Sequence, residues 1–85
     1  MKTITHNVND PMGIHARPAG EFVKVAKAFE SAITVKKGEK TADAKKIFGL
    51  MGMQVKHGEK VVIEIAGRDE EKAFEAVEAF LKENF

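Results

Sequence analysis

Apolar and polar positions alternate from Thr3 to Val8, with Ile4, His6 and Val8 on one parity and Thr3, Thr5 and Asn7 on the other. A period of two predicts a half-buried strand. From Ala19 the rhythm changes: Ala19, Phe22, Val23 and Ala26 fall at i, i+3, i+4 and i+7. This predicts a helix from about Ala16 to about Phe29. Period two returns over Ala32 to Lys36, where Ile33 and Val35 share a face, and a turn at Lys37-Gly38-Glu39 leads back through a polar strand from Lys40 to Asp43. A strand that polar suits a sheet edge. Between Ala44 and Met53, Ile47, Leu50 and Met51 fit a short helix whose length Gly49 and Gly52 limit. The clearest strand is Lys60 to Ala66, with Val61, Ile63 and Ile65 on one face. The last helix opens after Gly67-Arg68, with Asp69 as its expected N-cap, and carries a stripe of Ala73, Phe74, Val77, Phe80 and Leu81.

The order is therefore β-α-β-β-α-β-α, with no internal repeat or linker. Four strands with one apolar face can be closed by two long helices and a short one, which is an open-faced α/β sandwich, antiparallel or largely so. The pattern does not set the strand order. The 85 residues suffice for one small domain, residues 1–85, with little core to spare.

Composition narrows the function classes. There is no cysteine, which removes disulfides, thiolate metal sites and thiol catalysis. No apolar run approaches the roughly 20 residues of a membrane span, and Met1 to Thr5 lacks a signal-peptide core. The expectation is a cytoplasmic protein without membrane insertion. A net charge of +1 argues against a nucleic-acid partner. The three histidines, at 6, 15 and 57, have no ligand spacing for zinc. No carboxylate pair, nucleophile–base pair or P-loop suggests a stand-alone enzyme.

One stretch carries chemistry: Gly13-Ile14-His15-Ala16-Arg17-Pro18-Ala19. Pro18 suits the first turn of a helix, so His15 lies just outside that turn with Ala16 near the N-cap. Backbone N–H groups there have no intrahelical acceptor and the helix dipole is positive, so an anion is favoured. A histidine at this edge can accept a phosphoryl group, because an ordinary imidazole, with a pKa of about 6.5, is largely neutral and nucleophilic near pH 7. Arg17 offers planar N–H donors to phosphoryl oxygens, and the N–H groups of Ala16, Arg17 and the next non-proline residues can meet the others.

The stretch resembles the active-site signature of the HPr family, the histidine-containing phosphocarriers of the bacterial sugar phosphotransferase system. The similarity runs over essentially the whole chain, including Ala44-Lys45-Lys46-Ile47-Phe48 and the strand from Gly58 to Gly67. It implies an α+β, open-faced β-sandwich with a four-stranded antiparallel sheet and three helices on one face. It also implies a relay: phosphorylated enzyme I gives its phosphoryl group to Nδ1 of the histidine matching His15, with the arginine matching Arg17 in support. The group then passes to the IIA domain of a sugar permease. The chain would act as a stoichiometric carrier rather than an enzyme, with no metal, nucleotide or other cofactor, and best as a monomer.

Met12, Phe48 and Met51 are apolar residues in loop or short-helix positions and suggest a docking patch, to which Ile47 belongs by position. Lys24, Lys27, Lys45 and Lys46 would form its basic rim, steering acidic partners. Family members dock through this face. His6 falls on the inward parity of its strand and reads as a structural imidazole; His57 reads as a solvated loop residue. Lys46 stands where many relatives have a regulatory serine, and the only serine, Ser31, has a different context. Phosphorylation of such a serine puts negative charge on the docking face, and lysine puts positive charge there. Two other readings stay open: a carrier of a regulatory or nitrogen-related branch, and a binding module that carries no phosphate.

Overall fold

A row of apolar side chains crosses the whole sheet: Ile4 faces Ile63, Ile63 faces Val35, and Val35 faces Ala42. The computed structural model, which describes residues 1–85, has strands β1 (Lys2–Asn7), β2 (Ala32–Lys37), β3 (Lys40–Asp43) and β4 (Lys60–Ala66). Its helices are α1 (Ala16–Lys27), α2 (Ile47–Gly52) and α3 (Glu70–Asn84). All strand pairings are antiparallel, in the order β1-β4-β2-β3. The last strand in sequence thus inserts between the first two, and the polar β3 takes an edge.

The alternation read from the sequence is the alternation of burial. Val61, Ile63 and Ile65 of β4 and Ile33 and Val35 of β2 are buried and meet the helices. Twenty apolar residues form one continuous core, and each fully buried Ile, Leu or Phe among them is worth roughly 1.5–3 kcal/mol of transfer free energy. Ala19, Phe22 and Ala26 supply it from α1, and Ala73, Val77 and Leu81 from α3. Phe22 stacks on Phe80 at 5.4 Å between centroids, and both rings meet Phe85 edge-on at 6.3 and 5.7 Å. This triad fastens the end of α3 to α1.

Several boundaries differ from the expected ones. Val8 leaves the β1 ladder, though its N–H still reaches the Glu59 carbonyl and its own carbonyl accepts the Gly58 N–H. Helix α1 ends at Lys27, because Ala28 and Phe29 turn their N–H groups to carbonyls three residues back, a tighter closing turn. Helix α2 is only six residues long. Asp69 does stand at the N-cap of α3, but its carboxylate makes no bond to that helix. It accepts the N–H groups of Glu30 and Ser31 and the Ser31 hydroxyl instead. No helix is long and apolar enough to cross a membrane.

Candidate phosphoryl-accepting site

His15 is itself the N-cap of α1, one residue earlier than the sequence suggests, with extended backbone (φ −122°, ψ 174°). Its carbonyl accepts the Ala19 N–H at 2.9 Å. That bond removes Ala19 from the donors expected to be free. Pro18 has no N–H, and no side chain caps the helix. The unpaired donors of the first turn are therefore Ala16 and Arg17.

The loop before His15 is tied at three points. Asn9 and Asp10 both donate their N–H groups to the main-chain oxygen of Phe85, the latter at 3.2 Å. Ile14 donates to the Val55 carbonyl at 3.0 Å, and Gly13 donates to the Asp10 carbonyl at 2.9 Å. Gly13 has φ +68°, and a Cβ there would lie 2.7 Å from the Lys56 Cα. Only glycine fits so close a backbone crossing in that conformation. The backbone leading to His15 is consequently held by the end of α3 on one side and by the segment after α2 on the other.

The His15 side chain is 30% exposed, and its Nε2 lies 3.5 Å from Oδ2 of Asp10. The other Asp10 oxygen accepts the Met12 N–H at 2.8 Å. Arg17 is exposed and makes no ion pair. With Glu21 and Glu83, these groups line one open cleft. An imidazole, a free guanidinium and two free N–H donors are thus gathered at a positive helix end, an arrangement suited to holding a phosphoryl group.

The family model described as the PTS HPr component phosphorylation site matches residues 2–83. This chain belongs to the HPr family. As an HPr-family protein it is a phosphoryl carrier of the phosphotransferase system. It is 47% identical to the phosphocarrier protein HPr of Lysinibacillus sphaericus over 83 residues, which is 98% of this chain and 94% of the relative. Among solved structures, the histidine-containing phosphocarrier protein from Mycoplasma superposes with a TM-score of 0.94 at 32% identity, covering 96% of this chain and 93% of the other. An HPr dimer from Thermoanaerobacter tengcongensis gives 0.77 at 38% identity, with coverage of 98% and 95%.

The expected docking residues are placed as follows. Phe48 is 89% exposed and Met12 72%. Ile47 and Met51 are half-buried and rest on the core, the Ile47 side chain against Gly20 of α1. Lys24, Lys27 and Lys46 are exposed. Lys45 departs from the expected rim, because its ammonium donates to the Phe29 carbonyl at 2.9 Å and so closes the end of α1. The HPr-like arrangement also brings in Asp10, which the sequence did not single out. Its signal there was only an Asn-Asp-Pro turn, and nothing in a turn says which side chain the aspartate will meet.

Proposed function

We propose that His15 takes a phosphoryl group on Nδ1 from phosphorylated enzyme I and delivers it to the IIA domains of sugar permeases. Residues 1–85 act as a single carrier domain. The observation that carries this reading is the position of His15: it caps α1 beside the unpaired N–H groups of Ala16 and Arg17, with the Arg17 guanidinium free.

The step needs little from the carrier beyond positioning. The Nδ1 lone pair forms the new N–P bond as the donor's bond breaks, and the donor nitrogen takes back its electron pair. Arg17 and the two N–H groups carry the charge of the equatorial oxygens through a loose transition state. Each chain holds one phosphoryl group and gives it up, so it is a stoichiometric carrier rather than an enzyme.

Met12, Lys24, Lys27, Ile47, Phe48 and Met51 form the proposed docking face. One face used by successive partners favours a monomer, and the partners favour the cytoplasm, where phosphoenolpyruvate is formed. Lys46, the exposed N-cap of α2, cannot form the phosphate ester that a serine at this position would.

Intact mass after incubation with enzyme I, phosphoenolpyruvate and Mg²⁺ tests the proposal. One acid-labile phosphoryl group is expected on the parent protein and none on His15→Ala. No mass gain on the parent with its own host's enzyme I would refute it. The IIA-type acceptors that then discharge the carrier separate sugar transport from a regulatory branch.

A further inference from the structure

The contact between Asp10 and His15 bears on which ring nitrogen is free to react. In neutral imidazole one nitrogen holds the proton and the other holds the lone pair, and the partner of one nitrogen decides the state of both. A carboxylate accepts only. Facing Nε2 at 3.5 Å, Asp10 favours the tautomer with its proton on Nε2 and the lone pair on Nδ1. By covalent geometry Nδ1 is also the nitrogen nearer the main chain, where the unpaired N–H groups of Ala16 and Arg17 lie.

Asp10 is itself held in place. Its Oδ1 accepts the Met12 N–H at 2.8 Å, its carbonyl accepts the Gly13 N–H, and its own N–H is bound by Phe85. Oδ2 is left for the imidazole. The other charged groups of the cleft are Arg17, Glu21 and Glu83, and none has an ion-pair contact with His15.

We propose that Asp10 is a positioning residue that presents His15 as the Nε2–H tautomer, with Nδ1 bare for the incoming phosphoryl group; this rests on the reading that His15 carries it. Because Nδ1 arrives without a proton, none has to leave when the N–P bond forms. The positive character that the ring then acquires falls opposite the Asp10 carboxylate.

Asp10→Asn separates this role from a merely structural one. Asparagine keeps the turn, since its Oδ1 still accepts the Met12 N–H, but its amide donates toward Nε2 and favours the opposite tautomer. The measurement is the side-chain ¹⁵N spectrum of the histidines at a pH above their titration, with the exposed His57 as internal reference. In the parent protein the Nε2–H population of His15 should exceed that of His57. In D10N it should fall to that of His57 or below, with the Met12 amide signal unmoved. Transfer from phosphorylated enzyme I should slow by about tenfold, since a histidine in the wrong tautomer must first rearrange. Equal populations at His15 and His57 in the parent, or a D10N variant with unchanged populations and rate, would overturn the role of Asp10. A parent protein that is never phosphorylated at His15 would overturn the carrier reading as well, and the two failures are told apart by that mass measurement.

Discussion

The Asp69 carboxylate reaches Ser31 across 38 positions of sequence, accepting its hydroxyl at 2.5 Å and its N–H at 2.9 Å. The Glu30 N–H completes the set at 2.9 Å. The start of β2 is thereby fastened to the turn before α3, where Gly67 passes so close that a Cβ would sit 2.6 Å from the Ser31 Cα.

These donors, the Ser31 hydroxyl foremost, hold the Asp69 carboxyl down to about 2. A depressed carboxylate stabilises the fold above its ordinary value and loses that contribution as pH falls toward the folded value. Glu59, held low by the Lys56 N–H first and then by Lys37, acts in the same direction. Thermal stability should therefore fall as the pH is lowered from about 4 to about 2. Asp69→Asn should melt a few degrees lower at pH 7 and show a flatter acid limb over that window. An acid limb as steep as the parent's would dissociate Asp69 from it.

His6 sits on the inward parity of β1, opposite Val61, and its Nε2 is buried without a partner. Leaving a buried polar atom unpaired costs on the order of 1–3 kcal/mol, and valine is a better strand former at such a site. His6→Val should raise stability by about 1 kcal/mol in urea unfolding, given some loss of packing volume. A less stable variant would mean that the imidazole contributes packing that exceeds the cost of its unpaired nitrogen.

Gln54 follows α2 with φ +51°, the one non-glycine residue in the left-handed region. That conformation costs an L-residue roughly 1–2 kcal/mol, part of which glycine gives back as unfolded-chain entropy. Gln54→Gly should gain about 0.5–1 kcal/mol. Its backbone carbonyl, which accepts the Lys37 ammonium at 3.2 Å, is retained.

Gly13→Ala should do the reverse. Beyond the strain of φ +68°, the new methyl would strike the Val55 carbonyl and Lys56. A loss of at least about 2 kcal/mol is expected. Phosphoryl transfer should fall more steeply than stability alone explains, because His15 is two residues away. Unchanged transfer kinetics in folded protein would show that the loop tolerates displacement.

Phe48→Ala tests the docking face. With 89% of the residue exposed, the stability change should stay within about 0.5 kcal/mol. The KM of enzyme I for the carrier should rise by roughly tenfold, the effect of truncating an aromatic anchor worth about 1.4 kcal/mol. An unchanged KM would remove Phe48 from the interface.

Much of this molecule was legible in its amino-acid sequence. The seven elements follow from local periodicity: Val61, Ile63 and Ile65 could only be one face of a strand, and Ala73, Val77 and Leu81 one face of a helix. The candidate stretch was legible as well, because Pro18 and the short apolar run after it place a helix start within one residue of the observed N-cap, His15. Where the reading missed, distant groups competed for a local one. Asp69 is the N-cap that the sequence indicates, yet its carboxylate is taken by three donors on another segment and not by its own helix. Lys45 has the composition of a surface charge, yet a free carbonyl at the end of α1 takes its ammonium.

The sequence by itself determined the elements, the edge character of β3 and the helix start that carries the proposed site, since these depend on residues within a few positions of one another. Only the tertiary structure decided the order β1-β4-β2-β3, the Phe22–Phe80–Phe85 cluster and the meeting of Asp10 with His15. Those depend on which buried faces fit together, and periodicity names a face without naming its partner.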